Sequence, residues 1–153
     1  MVTHMKESTD WVTPVVAACY YNSEWHFGVN NSNFNIPKSD VENRSELYYA
    51  TVEHAEINLL KKLGNVDELN VPIYTTLFPC DKCMKVLISK GVKKIYYLED
   101  HPERNWSKRS HELAKKKGVE TICLLNKENE LLNYDNIDFN SFKYIYPPNA
   151  RKQ

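Results

Sequence analysis

Short apolar runs recur along the chain and predict a series of strands. Residues 14–21 are apolar and then aromatic, and a second such run at 25–30 follows the turn residues Asn22 and Ser23. Together these two runs predict a β-hairpin. Three further runs are short and rich in β-forming residues: 71–76, 94–98 and 120–125. The pattern therefore predicts five strands.

Three glycines each follow a lysine-bearing, helix-like stretch. A glycine just past a cationic last turn is typical of a helix C-terminus, so helices are predicted to end immediately before Gly64, Gly91 and Gly118. Two of these helices separate the last three strands, which implies parallel neighbours with right-handed connections. The predicted fold class is α/β, with a mixed five-stranded sheet, its last strands parallel, and helices packed on its faces.

Two segments belong to neither the predicted strands nor the predicted helices. Residues 31–47 are polar, contain Pro37 and are typical of a long loop, and loops of this length in a compact domain are often functional. Residues 126–153 are polar with interspersed aromatics, which fits either a packed tail or an oligomer contact. We expect 1–153 to form a single domain, because this length suits one hydrophobic core.

Composition narrows the classes of partner. Lys plus Arg number 20 and Asp plus Glu number 20, so no overall positive field attracts nucleic acid, and a polynucleotide partner is disfavoured. No apolar run is long enough to cross a bilayer, and the first residues lack the apolar stretch of a signal peptide. Four cysteines do not suggest a disulfide framework. We expect a cytoplasmic protein without membrane contact.

One imidazole and two thiols form a candidate metal site. His54, Cys80 and Cys83 supply three of the four ligands that tetrahedral Zn²⁺ prefers, and no fourth protein ligand is evident close by in sequence. A structural zinc site is closed by four protein ligands, whereas a catalytic site leaves one position for water. The three-ligand count therefore favours a catalytic zinc site.

The spacing of these residues constrains where a metal can lie. Pro79 is typical of a helix start, and the helix it introduces should place Cys80 and Cys83 on one face of its first turn. His54 and Glu56 are about 200° apart around a helix and cannot share a lateral face. They can belong to one site only if the metal lies beyond the end of that helix.

The carboxylate of Glu56 suggests the chemistry. The pattern H-x-E followed by P-C-x-x-C is typical of zinc deaminases that act on nucleobases. In such a site the metal acidifies a water, and Glu56 moves protons from that water to the ring nitrogen and the leaving ammonia. A structural zinc site has no use for this carboxylate.

The chain resembles the deoxycytidylate deaminase branch of the cytidine-deaminase-like superfamily over residues 8–125. The matching segments are Pro14-Val15-Val16-Ala17, Gly28-Val29-Asn30-Asn31, Thr51-Val52-Glu53-His54-Ala55-Glu56-Ile57-Asn58, Thr76-Leu77-Phe78-Pro79-Cys80-Asp81-Lys82-Cys83 and Gly91-Val92-Lys93-Lys94-Ile95-Tyr96-Tyr97. The resemblance implies a three-layer α/β/α fold, conversion of dCMP to dUMP with release of ammonia, and a homo-oligomer, with a hexamer as the family-based expectation.

The resemblance also indicates candidate substrate-binding residues, namely Asn30, Asn31, Ala55 and His101. Two of these depart from the family pattern, because Asn31 replaces the second glycine of the nucleotide turn and His101 stands where a tyrosine is common. Residues 31–49 contain no cysteine, which argues against the second zinc site of some relatives. The first helix of the family is nearly absent.

Other functions remain open at this point. A rival deaminase would act on guanine, on a modified cytosine or adenine, or on adenosine in transfer RNA, although the neutral net charge disfavours RNA. A different class is a non-enzymatic, zinc-stabilised interaction module. Cys19 and Cys123 lie on predicted strands and are expected to be buried, inert thiols. His111 is expected to be a surface or hydrogen-bonded residue.

Overall fold

The computed structural model describes residues 15–30, 53–64 and 66–125, which contain eight helices and strands. In chain order these are β1 Val16–Tyr21, β2 Glu24–Val29, α1 Ala55–Leu63, β3 Ile73–Leu77, α2 Asp81–Ser89, β4 Lys94–Glu99, α3 Asn105–Lys116 and β5 Glu120–Cys123. The predicted loop 31–47, the tail 126–153 and Asn31 lie outside the described residues.

The five strands form one mixed sheet in the order β2-β1-β3-β4-β5. β1 is antiparallel to β2 and to β3, whereas β3, β4 and β5 run parallel. Asn22 and Ser23 form the hairpin turn with φ of 52° and 65°, as a two-residue turn with two left-handed positions requires. The predicted mixed sheet with parallel last strands is confirmed.

The helix ends follow the glycines closely. α1 ends at Leu63, immediately before Gly64, and the backbone φ of +75° at Gly64 lies in the left-handed region that a glycine adopts without a Cβ penalty. α2 ends at Ser89 with Lys90 as its C-cap, one residue earlier than predicted. The longest described helix, α3, has 12 residues, and none in the described ranges has the length and apolar composition of a membrane span.

The core lies between the sheet and the three described helices. One cluster of buried residues joins the inward face of the strands to the helices, and its central members include Ile73, Ile95, Leu59, Met84 and Leu87. The opposite face carries a second apolar cluster: Val16, Ala18, Tyr74, Tyr96, Leu98 and Leu124. Among the described residues, this second cluster consists of strand residues and of Leu124, which directly follows β5.

α1 packs against β2 at a position that only glycine can occupy. A Cβ added at Gly28 would overlap the carbonyl oxygen of Ala55 and the backbone nitrogen of Leu59. Both contacts are with backbone atoms, which cannot swing aside as a side chain can. Gly28 therefore sets the distance between β2 and the first turns of α1, where His54 and Glu56 lie.

We expect Gly28→Ala to destabilise the fold by about 3 kcal/mol, the upper part of the usual range for overpacking, because the backbone of α1 has to move. Gly118→Ala is the matched control, since Gly118 has a φ of +72° but open space around it. The control substitution should lower the free energy of unfolding by about 1 kcal/mol, from backbone strain alone. Denaturant unfolding of both variants measures the difference, and equal costs would contradict the close-packing argument.

Candidate metal centre and active site

Two helix N-termini face each other at the candidate metal site. His54 is the N-cap of α1, with φ −77° and ψ 152°, and Cys80 is the N-cap of α2, with φ −68° and ψ 167°. Neither side chain caps its own helix. Pro79 lies one residue before the N-cap of α2, which agrees with the prediction that it introduces this helix. His54 lies at the end of its helix, where the sequence required it to be if it shares a site with Glu56.

The three candidate ligand atoms converge on one point. His54 Nδ1 lies 3.5 Å from Cys80 Sγ and 3.4 Å from Cys83 Sγ, and all three atoms lie within 4.8 Å of one another. A tetrahedral Zn²⁺ with N and S ligands at their usual bond lengths separates its nitrogen and sulfur ligands by about 3.5 Å. The residues therefore fit Zn²⁺, with Nδ1 as the nitrogen that faces the metal position.

A hydrogen bond between Cys80 and Cys83 shifts the pKa values of the two thiols in opposite directions. Hydrogen bonding from Cys83 lowers the pKa of Cys80 to about 4, while the same contact raises the pKa of Cys83 above its ordinary value. The pKa of His54 is raised chiefly by its hydrogen bond to Cys80. Because Zn²⁺ binds thiolates and neutral imidazole, metal binding would release the protons that these three groups hold.

Glu56 follows His54 by two residues in the sequence, and it is 4% exposed. It is the only buried acidic or basic side chain in the part of the chain that the structure describes. Burial raises the pKa of Glu56, while hydrogen bonds from its own backbone N–H and from Cys83, together with the charge of His54, act in the opposite direction. A carboxyl group whose charged form is disfavoured by burial can serve both as a base and as an acid.

The candidate substrate-binding residues have different surroundings. Asn30 is buried, and its Oδ1 accepts a hydrogen bond of 2.8 Å from the Val15 N–H, so this oxygen ties the end of β2 to the start of β1. Ala55 is buried as the first residue of α1. His101 follows β4 with 37% of its side chain exposed, and its ring nitrogens lie 3.9 Å from Glu99 and 3.6 Å from Glu103.

Several residues around the site make contacts that the sequence did not predict. Asn58, on α1, donates a hydrogen bond of 2.7 Å to the Val29 carbonyl and so fixes the metal-bearing helix to β2. Ser110 and His111, on α3, contact the two residues that precede Cys80. Helical spacing would place Ser110 near Ala114 on the inner face of α3, but it carries no information about the strand-to-helix junction that the hydroxyl reaches.

The two remaining cysteines differ from each other. Cys19 is fully buried on β1, and burial raises the pKa of its thiol to about 11, which confirms the prediction of a buried thiol with little thiolate character. Cys123 lies on β5, at the end of the strand order, and is only partly buried, so the prediction that it is buried was wrong.

A mixed sheet that carries a His-Cys-Cys group beside a buried carboxylate is typical of zinc-dependent deaminases. The sequence profile described as the cytidine and deoxycytidylate deaminase zinc-binding region matches residues 1–99. The chain belongs to this family.

Individual relatives agree with this assignment. The probable deoxycytidylate deaminase of Caenorhabditis elegans is 40% identical over 76 residues, which are 50% of this chain and 37% of the relative. The human deoxycytidylate deaminase is 32% identical over 94 residues, which are 56% of this chain and 53% of the relative. The match thus spans about half or less of the length of these curated relatives.

Solved structures share the fold. A dCMP deaminase from the cyanophage S-TIM5, crystallised with dCMP and dUMP, is 26% identical with a TM-score of 0.55, covering 70% of this chain and 78% of that chain. RibD from Acinetobacter baumannii has the same TM-score of 0.55 at 17% identity, over 80% of this chain and 32% of that chain. The second likeness shows the fold alone.

Proposed function

We propose that this protein is a zinc-dependent hydrolytic deaminase of a free nucleotide, with dCMP as its substrate. The observation that carries the proposal is the buried carboxylate of Glu56 beside three ligand atoms that fit Zn²⁺. His54, Cys80 and Cys83 would hold the metal. A site that served only to stabilise the fold would not retain a buried carboxyl group that is not one of its ligands, because burying that group costs free energy.

The reaction requires several proton movements at one place. When bound, Zn²⁺ supplies a water of lowered pKa as the nucleophile. Hydrolysis then forms a bond from oxygen to the amino-bearing ring carbon and breaks the bond from that carbon to nitrogen. Glu56 accepts the first proton of the water and places it on the ring nitrogen. It then accepts the second proton from the hydroxyl group now on the ring carbon and delivers it to the departing ammonia. A single buried carboxyl group next to the ligands can perform these transfers in turn.

The choice of a free nucleotide rests on three supports. The human relative is named deoxycytidylate deaminase, the Caenorhabditis elegans relative is named probable deoxycytidylate deaminase, and the S-TIM5 enzyme was crystallised with dCMP and dUMP. The chain has no net charge, so no general field would attract a polynucleotide. We propose Asn30, Asn31, Ala55 and His101 as the residues that contact the nucleotide.

A panel of substrates tests the proposal. The zinc-loaded protein is assayed for ammonia release with dCMP, dCTP, cytidine, guanine and adenine nucleotides, under one set of conditions. We expect kcat/KM to be highest for dCMP. A higher value for another base would reject the substrate but keep the reaction, whereas no ammonia from any compound would reject the deaminase proposal. Homo-oligomeric assembly, the single domain over 1–153 and a cytoplasmic location stay predictions.

A further inference from the structure

The segment that leads into Cys80 is held by one short stretch of α3. The Ser110 hydroxyl donates a hydrogen bond of 2.7 Å to the Pro79 carbonyl oxygen, and the His111 ring stacks on Phe78 with centroids 3.9 Å apart and planes 6° apart. Phe78 and Pro79 are the two residues immediately before the ligand Cys80. Two consecutive residues of α3 thus contact two consecutive residues of the ligand segment, in reverse order.

The carbonyl oxygen of Pro79 needs the Ser110 hydroxyl as its hydrogen-bond donor. Pro79 is buried, and it precedes the N-cap of α2, whose first backbone bond runs from the Met84 N–H to the Cys80 carbonyl. Ser110 is itself fully buried, so water does not replace its hydroxyl. The hydrogen bond fixes the plane of the peptide that joins Pro79 to Cys80, and this plane sets the direction in which the Cys80 side chain leaves the backbone.

His111 is fixed in turn from its other side. Its Nε2 donates to Asp100 Oδ2 at 2.7 Å, and Asp100 Oδ1 accepts from the Ser107 hydroxyl at 2.7 Å and from the His101 N–H at 2.7 Å. The ring therefore stacks against Phe78 in one orientation. The neighbouring ion pair of Arg109 with Asp81, at 2.9 Å, involves an arginine side chain that is 59% exposed, and exposed pairs contribute little.

We propose that Ser110 and His111 are positioning residues for the metal ligand Cys80, which hold its Sγ toward His54 Nδ1 and so raise the affinity for Zn²⁺. This inference rests on the proposed function, because it takes Cys80 as a zinc ligand. It assigns a role to α3, which contributes no ligand itself. Groups that orient ligands typically change metal affinity 10–100-fold when they are removed, and we expect an effect of about this size.

The test compares two buried hydroxyl groups. Ser110→Ala removes the hydroxyl that binds Pro79, and Thr76→Val removes one that is equally buried but bonds to Val16. The zinc dissociation constant of each full-length variant is measured by competition with a chromophoric chelator. We expect an increase of about 10–100-fold for Ser110→Ala and no change for Thr76→Val. The thermal stability of the two metal-free variants should fall by similar amounts.

A second measurement separates positioning from general loss of stability. In the Co²⁺-loaded protein, the visible absorption of a tetrahedral thiolate site depends on ligand geometry. We expect altered bands in Ser110→Ala and in His111→Ala, and unchanged bands in Thr76→Val. If wild type binds zinc and Ser110→Ala binds it as tightly as Thr76→Val does, with the same cobalt spectrum, this inference is wrong while the proposed function stands. If wild type binds no zinc, both are wrong.

Discussion

Glu56→Gln is expected to lower kcat for dCMP by at least about 10⁴-fold, the upper end of what general acid–base catalysis contributes, because one group handles every proton transfer. Glutamine keeps the size and the hydrogen-bonding capacity of the side chain but cannot accept and release the proton. Glu56 is not among the three ligand residues, so zinc content and folding should hardly change. The measurement is steady-state turnover together with metal analysis.

Glu53→Gln is the matched control for this variant. Glu53 lies three residues earlier, is 51% exposed and pairs with Lys61 at 2.8 Å on the surface. Its neutralisation should leave turnover near that of wild type, because exposed pairs contribute little. If Glu56→Gln kept most of its turnover, the proposed mechanism would be wrong. If it lost zinc, Glu56 would be a ligand and the site would have to be reassigned as structural.

Cys83→Ala is expected to lose zinc and turnover together. Cys83 is 2% exposed, and its Sγ lies 3.4 Å from His54 Nδ1, so its removal leaves only two protein ligands. A metal that binds only the folded state stabilises it by about 4 kcal/mol at a thousand times its dissociation constant. Wild type should therefore show a rise in melting temperature when zinc is added, and Cys83→Ala should show none.

Cys123→Ala controls for the loss of a thiol as such. Cys123 lies on the edge strand β5, and its Sγ contacts only the carbonyl oxygens of Leu98 and Leu125 among the described hydrogen bonds. This variant should keep its full zinc content and the zinc-dependent rise in melting temperature. A Cys83→Ala protein that still bound one zinc per chain, with ligands elsewhere, would contradict the assignment of the metal site.

Much of the scaffold followed from local signals. The helix ends before Gly64, Gly91 and Gly118 were predicted to within a residue, because a left-handed glycine is a local requirement of the chain. The angle between His54 and Glu56, two residues apart in sequence, predicted that they can share a site only at a helix end, and His54 is the N-cap of α1. Such features depend on neighbours within a few residues.

The support of the site was not predictable in the same way. The hydrogen bond from Ser110 to Pro79 joins residues 31 positions apart, and its existence depends on how α3 crosses the end of β3. The close approach of Gly28 to Ala55 depends likewise on the packing distance between β2 and α1. A single sequence contains no periodicity that indicates these distances. The candidate ligands could therefore be named from the sequence, whereas the residues that hold them could not.

The most direct test of the central claim is to follow dCMP with the zinc-loaded protein in water enriched in oxygen-18. Hydrolytic deamination predicts dUMP that carries one solvent oxygen on the ring carbon that lost its amino group, with one ammonia released per dUMP formed. Mass spectrometry of the nucleotide and an ammonia assay on the same sample measure both. Recovery of unchanged dCMP from a protein shown to hold one zinc per chain would contradict the account.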